Sequence, residues 1–296
     1  MKHISLYTIG ILLGIQSCTL EGVNNEHSSD SDSSSTTLDT AGVLQEENPL
    51  DETAILPDTL NGNENEMVWQ NEEGLRVEWW EKGTKKININ DVVLVNYEAR
   101  VAGGEVYDSN DDYGQPVPIK SNIGMLIPGW EAGLLQMFEG DHGRIMIPNK
   151  LAYGEDGYGK FVPPHADIVV DIEIIKIIEP VELDEGVKVY VWKKSDSEIL
   201  AKKGERITFD YFAYTTGKKA KMYDNSYKNG EPFTMIFEND NVVEGLHQGM
   251  QVLHPGDNAF IEIPSNLGYG KTGLQDLVPK NTDIVYDVRI LEIKKL

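Results

Sequence analysis

Apolar and polar positions change their rhythm twice along this chain. Ile4 to Ile15 is an almost unbroken apolar run. It is shorter than the roughly 20 residues that a membrane-spanning helix needs and matches the core of a signal peptide. From Thr19 to Glu66 apolar residues thin out, and Ser, Asn, Asp and Glu dominate, as in Ser28-Ser29-Asp30-Ser31-Asp32-Ser33-Ser34-Ser35. From Met67 onward short strand-like segments take over. Val92-Val93-Leu94-Val95-Asn96-Tyr97 and Ile168-Val169-Val170-Asp171-Ile172-Glu173-Ile174-Ile175 are rich in β-branched residues, which suit a pleated, half-buried surface. Gly129 to Phe138, opening after Pro128, reads as one short helix.

The pattern then repeats. Tyr107-Asp108-Ser109 recurs as Tyr223-Asp224-Asn225, and Pro128-Gly129-Trp130-Glu131-Ala132-Gly133-Leu134 as Glu244-Gly245-Leu246-His247-Gln248-Gly249-Met250. Ile147-Pro148-Asn149-Lys150-Leu151-Ala152-Tyr153-Gly154 returns as Ile263-Pro264-Ser265-Asn266-Leu267-Gly268-Tyr269-Gly270, and Asp167-Ile168-Val169-Val170-Asp171 as Asp283-Ile284-Val285-Tyr286-Asp287. Order and spacing are kept, and the period is too long for a solenoid, so the chain holds a duplicated domain. The join falls near Glu179-Pro180-Val181-Glu182. A link this short should limit the relative motion of the two units. The organisation expected is a lipoprotein-type signal over 1–17, an acidic disordered tether over 18–66, a first domain over 67–180 and a second over 181–296.

Charge adds an exclusion. The 296 residues carry 26 Lys and Arg against 49 Asp and Glu, a net charge of −23. Nucleic acid is ruled against, because a protein that binds it neutralises phosphates with clustered basic groups. Twelve acidic residues, about half of the net charge, lie between Thr19 and Glu66, where no Lys or Arg occurs. Such a segment cannot offset its ordering entropy and repels itself. Cys18 is the single cysteine and sits where the apolar run stops. The run Ile15-Gln16-Ser17-Cys18 resembles a bacterial lipobox, with Gln16 departing from the usual small residue. That resemblance implies acylation of Cys18 and an exported protein anchored to a membrane, facing the periplasm or cell surface of a bacterium. The histidines show no HxxxH or HExxH spacing, and neither a metal nor a cofactor is expected. Asp108-Ser109-Asn110-Asp111-Asp112 hints at a calcium loop, but the glycine comes late at Gly114 and Ile119 holds the closing position.

Within one repeat stand Val95-Asn96-Tyr97, Tyr107-Asp108-Ser109, Gly129-Trp130-Glu131-Ala132-Gly133, Ala152-Tyr153-Gly154 and Val162-Pro163-Pro164-His165-Ala166. This ordered set resembles the FKBP-type peptidyl-prolyl isomerases, over about residues 74–177 and again over 187–293. The resemblance implies an α+β fold: two FKBP-like domains, each a twisted antiparallel sheet wrapped around one short helix, with a substrate pocket between sheet and helix. It implies non-covalent rotation of X–Pro bonds and proline-containing polypeptide clients. In the first domain it places Trp130 at the pocket floor and Tyr97, Tyr107, Val117, Phe161 and Val170 in the walls. Leu126 and Ile127 precede the helix, with the Ile127 N–H directed to a substrate carbonyl. Tyr153 offers its hydroxyl to another carbonyl, Asp108 is the one pocket carboxylate, and Tyr158 and Val162 belong to a covering loop. Val117 stands where the family usually has an aromatic, and Tyr107 where phenylalanine is usual.

The second repeat departs further. Tyr211, Tyr223, Asp224, Phe233, Val242, Val243, Tyr269 and Tyr286 hold matching places, but Leu246 replaces the floor tryptophan and Lys280 the second proline of the Pro-Pro pair. The chain between Tyr211 and Tyr223 is two residues longer than between Tyr97 and Tyr107. The resulting expectation is an isomerase in the first domain, assisting the folding of exported proteins, beside a degenerate second pocket. The alternative is an envelope-tethered module that holds unfolded or proline-containing clients with little turnover, or serves as a structural spacer.

Overall fold

The computed structural model describes residues 67–111, 114–217 and 219–296. The signal segment, Cys18 and the acidic tether lie outside the described residues. The first unit runs through β1 (Val68–Gln70), β2 (Arg76–Glu81), β3 (Lys85–Lys86), β4 (Val92–Val101), β5 (Val106–Ser109) and β6 (Val117–Lys120). It continues with α1 (Pro128–Leu134), β7 (Phe138–Glu139), β8 (His142–Ile147) and β9 (Ile168–Ile178). The second runs through β10 (Val181–Glu182), β11 (Lys188–Lys193), β12 (Arg206–Thr215), β13 (Met222–Asn225), β14 (Phe233–Ile236), α2 (Glu244–Met250), β15 (Asn258–Ile263) and β16 (Ile284–Lys294).

Each repeat builds one antiparallel 7-stranded sheet. The first has the order β1-β2-β8-β9-β4-β5, with β6 also paired to β4; the second has β10-β11-β15-β16-β12-β13, with β14 also paired to β12. The period of two explains the faces. Along β4, Val93, Val95, Tyr97 and Ala99 are buried, while Leu94, Asn96, Glu98 and Arg100 are less so. In β9, Ile168, Val170, Ile172 and Ile174 are buried in step with them. The register shifts between Leu94 and Val95. The bulge bends the pair and moves β9 burial onto Ile177 and Ile178.

The helix lies on the sheet at glycine contacts. A Cβ on Gly129 would overlap Ile147, and one on Gly133 would overlap Ile145. Gly245 and Gly249 stand in the same way against Ile263 and Ile261. This close seat turns Trp130 and Leu134 into the core shared with Val95, Tyr97 and Ile172. The first helix differs from its sequence reading: it includes Pro128 and ends at Leu134. The Gln136 N–H bonds Gly133 O and the Met137 N–H bonds Leu134 O, tightening the last turn. Phe138 then pairs with Lys86 as a strand.

A third apolar cluster joins the two units. Val92, Ile123, Met125 and Ile178 of the first pack with Tyr190, Tyr214, Phe260 and Val285 of the second. The Gly217 N–H donates to Asn122 O at 3.1 Å. At this boundary the Lys120 ammonium donates to Asn90 O at 2.6 Å and to Glu262 Oε2 at 2.8 Å, with the Tyr190 ring 4.3 Å away. Lys120 is fully buried, and burial pushes its pKa down against the opposing charge of Glu262.

Candidate functional site

The first sheet and its helix enclose a small pocket lined by Tyr97 of β4, Asp108 of β5, Val117 and Ile119 of β6, Leu126, Ile127, Trp130 of α1 and Tyr153. Alternation sets the β6 contribution: Val117 and Ile119 face one way, Pro118 and Lys120 the other. The Tyr97 and Trp130 rings meet edge to face with centroids 5.0 Å apart, a favoured aromatic geometry. Pro128 at the first helical position fixes the entry of the chain, and Ile127 before it is extended at φ −64° and ψ 149°. The Ile127 carbonyl accepts from Trp130 and Glu131 N–H, whereas its own N–H has no partner among the described residues.

One polar couple crosses the wall. The Tyr97 hydroxyl donates to Asp108 Oδ2 at 2.8 Å. Burial raises the Asp108 pKa to about 6, against the opposing hydrogen bonds from Tyr97 and the Ser109 N–H. Burial also pushes the Tyr153 phenol up to about 12 and Tyr107 well above its ordinary value. One donor here, Trp130 Nε1, is buried without a hydrogen-bond partner, whereas the Tyr107 hydroxyl is directed at that of Tyr153. Buried polar atoms are almost always paired, so the Trp130 N–H suits an acceptor brought in by a ligand.

The remaining candidates are arranged around this centre. Tyr107 and Tyr158 flank Tyr153, with centroid distances of 6.4 and 5.3 Å. Tyr158 and Val162 bridge as a small hairpin, closed by bonds of 2.8 and 3.1 Å between their backbones. Val162 and Val170 are wholly buried in the core and are not among the lining residues. Phe161 is half-exposed and stacks on Tyr158 at 6.0 Å; it stands at the rim, not in the wall. Ile119 and Asn110 escaped the sequence reading. Ile119 was recoverable as the residue two places beyond Val117. Asn110 has no such signal: its side-chain oxygen accepts from the Tyr97 N–H at 2.6 Å, and its amide donates to Asn96 Oδ1 and Gln115 O. Asn110, within the segment that hints at a calcium loop, thus braces Tyr97. Among the described residues no group of three or more His, Cys, Asp or Glu could hold a metal ion.

The second domain repeats the couple and changes its charge. The Tyr211 hydroxyl donates to Asp224 Oδ2 at 2.6 Å, and the Lys228 ammonium reaches Asp224 Oδ1 at 2.9 Å. Burial would raise Asp224, but the hydrogen bonds from Tyr211 and Lys228 and the nearby cation outweigh it and hold the carboxyl low. Lys228 belongs to a 3-10 turn over Ser226–Asn229. Leucine stands at the floor position. Leu246 packs with Tyr223, Tyr286 and Met250, and the Tyr223 hydroxyl donates to Tyr286 at 3.3 Å. Phe233 sits against Phe209 and Tyr211, and the Tyr223 and Tyr269 rings lie 6.2 Å apart. Val242 and Val243 are only partly buried at the core edge.

Fold and pocket together define a class. The chain belongs to the FKBP-type peptidyl-prolyl cis-trans isomerase family, whose model matches residues 83–175 and 197–291. It is 29% identical over 203 residues to human (Homo sapiens) peptidyl-prolyl cis-trans isomerase FKBP9, covering 69% of this chain and 35% of that protein. It is 35% identical over 105 residues to FK506-binding protein 2 of Yarrowia lipolytica, covering 36% and 73%. Among solved structures, the three FKBP domains of wheat FKBP73 cover 76% of this chain and 97% of theirs at 23% identity and a TM-score of 0.39. FkpA from Escherichia coli covers 38% and 53% at 29% identity and a TM-score of 0.35. The chain spans about a third of the length of FKBP9.

Proposed function

We propose that this protein is a peptidyl-prolyl cis-trans isomerase whose first domain carries the activity, working on exported polypeptides from a lipid anchor at Cys18. Rotation about an X–Pro bond is slow because it breaks amide resonance, which leaves the uncatalysed process on a scale of tens of seconds. No covalent bond is made or broken, so the protein needs only to favour the twisted amide over the planar one. The planar amide is more dipolar and better solvated by water. A dry pocket removes that solvation, and a few directed hydrogen bonds hold the carbonyl.

The first-domain pocket supplies these elements. Trp130, Tyr97 and Val117 receive the proline ring. The Ile127 N–H and the Tyr153 hydroxyl hold the carbonyls on either side. Asp108, oriented by Tyr97, presents a carboxylate to the reacting amide. The observation that carries the reading is Trp130 Nε1, a buried donor without a partner at the floor of an aromatic pocket. Export rests on Lys2, His3, the apolar run and Cys18 in the sequence.

The test is the isomerisation rate of a short X–Pro peptide with residues 67–296 (the apolar run and acidic segment removed), beside Trp130→Ala, Asp108→Ala and Tyr269→Ala. The parent should be active, the first-domain changes should remove at least about 90% of kcat/KM (a tenfold loss is 1.4 kcal/mol of transition-state stabilisation), and Tyr269→Ala should leave it. A parent no faster than the uncatalysed reaction overturns the proposal. It would favour the second reading, a holding module, for which Leu246 and the Lys228–Asp224 pair speak in the second domain only.

A further inference from the structure

Behind the first-domain pocket lies a second, larger concavity between the two domains. Its first-domain wall is Gln115, Pro116, Val117 and Pro118. Trp192 of β11, Asp210 and Phe212 of β12, Tyr227, and Asp287 and Arg289 of β16 face it from the second domain. Val117 borders both cavities. β6 is therefore a shared partition, with the isomerase pocket on one face and the interdomain cleft on the other.

The cleft is furnished for a ligand with both polar and apolar parts. Asp287 is 9% exposed and forms no ion pair within the described residues. Burial raises its pKa to about 7, and the neighbouring Trp192 indole opposes this. The Trp192 N–H is buried and directed at the Asp287 carboxyl, outside regular hydrogen-bond geometry. Phe212 and Tyr227 stack with centroids 5.0 Å apart and an interplanar angle of 25°, and Pro116 and Pro118 face them with apolar rings. Asp210 and Arg289 are direct neighbours across β12 and β16. Asp210 accepts from the Ser226 hydroxyl at 3.2 Å, and Arg289 has no ion-pair partner among the described residues. A buried carboxyl group with the Trp192 N–H turned toward it sets an acceptor and a donor side by side, as a peptide group requires, and the aromatic and proline faces match its apolar side chains.

We propose that this interdomain cleft is a second binding site, taking the segment of a client polypeptide that flanks the proline held in the first-domain pocket. It would bind an extended stretch with its backbone or an amino group at Asp287 and an apolar side chain against Phe212, Tyr227 and Trp192. This rests on the isomerase reading of the first pocket. Val117 lines both cavities, so a short extended segment connects the sites. The second domain thus contributes substrate recognition through a surface other than its own degenerate pocket.

The experiment uses residues 67–296 with two substrates: a tetrapeptide with one X–Pro bond, too short to reach both sites, and an unfolded polypeptide of a few dozen residues with a central proline. The variants are Asp287→Asn, Phe212→Ala and the surface change Tyr227→Ser, which leaves the core untouched. Each should lower kcat/KM for the long substrate by about tenfold, the range of a central interface residue, and leave the tetrapeptide rate unchanged within about twofold. Fluorescence anisotropy of the long substrate on the same variants in a Trp130→Ala background reads the cleft without turnover, and its Kd should rise in parallel. If all three variants handle both substrates like the parent, the cleft proposal is overturned and the isomerase reading stands. If tetrapeptide turnover falls equally, these residues act through the shape of the first pocket and the proposal is again overturned. If the parent turns over neither substrate but the variants still weaken long-substrate binding, the isomerase reading fails and the cleft remains.

Discussion

Asp108 and Asp224 occupy matching positions in two copies of one fold, yet their environments push them apart. Asp108 is partly buried with only a neutral phenol and a backbone N–H for company. Asp224 has a lysine. A carboxyl whose folded pKa lies above its unfolded value of 3.8 holds its proton more tightly when folded. Its contribution to stability is full below about pH 4 and is lost as the pH rises through about 6. Asp108→Asn should therefore stabilise the protein at pH 8, by on the order of 1 kcal/mol once solvent screening of this partly buried group is allowed for, while lowering turnover. The ionised form is the one that can polarise the amide, so kcat/KM of the parent should rise through pH 6, and the Asp108→Asn variant should show no such inflection. A folded parent with a flat profile from pH 5 to 8 would remove Asp108 from the mechanism. At this scale the sequence was informative about identity and silent about pairing. Tyr97, Asp108, Trp130 and Tyr153 were legible from motif order. The bond between Tyr97 and Asp108 was not, because their contact depends on the β4–β5 register, which is irregular between Ala99 and Arg100. Lys228 was invisible for a related reason: the two extra residues before Tyr223 gave a length difference, while the cation comes from the turn that follows it.

Strand identity was readable because β-branched residues alternate with polar ones, and the glycines of the helix explain why that element sits where it does. The extent of the first helix was not readable. Apolar spacing continues through Leu135, Met137 and Phe138, but Phe138 is drawn into strand pairing with Lys86, a tertiary demand that local propensity does not contain. The spacing of Gly129 and Gly133 carries a different message. Both glycines face β8 at a distance no side chain can share. Gly133→Ala adds a methyl that would overlap Ile145. Overpacking of this kind costs about 1–3 kcal/mol, more than the gain in helix propensity of roughly 1 kcal/mol from replacing glycine by alanine. The net change should be a loss of stability in urea denaturation, and the isomerase activity should fall with it, since lifting α1 displaces Trp130. A variant as stable as the parent would mean that the helix can move away from the sheet without penalty. The equivalent change at Gly249, against Ile261, should destabilise the second domain and leave the Trp130 floor in place.

At the scale of the whole molecule, the join between the domains was legible only as a short linker near Pro180. The contacts that make the tandem one body lie far apart in sequence and carry no local pattern. Lys120 and Glu262 are separated by 142 positions, and a lysine closing one strand and a glutamate inside another look like ordinary surface residues. In the folded chain the Lys120 side chain has no exposure at all, and Glu262 also accepts from the Tyr190 hydroxyl at 3.4 Å. A surface ion pair contributes about 0–1 kcal/mol. A buried one behaves differently, because removal of one partner strands the other charge in a poorly solvated site and costs about 3–5 kcal/mol. Glu262→Ala should therefore destabilise the protein by that larger amount. The combined change Lys120→Met with Glu262→Leu should recover most of the loss, since apolar side chains of similar volume substitute well for a buried ion pair. Urea denaturation of the three variants reads both outcomes, and a cost below about 1 kcal/mol for Glu262→Ala would reduce the pair to a surface contact. The position of Lys120 gives the result a functional side. It lies on β6 with its side chain toward the second domain, one residue from Ile119, whose side chain borders the first-domain pocket. If the pair anchors that strand, Glu262→Ala should raise KM for a short X–Pro peptide more than it lowers kcat, because the second domain would then hold the wall of a pocket it does not itself contain.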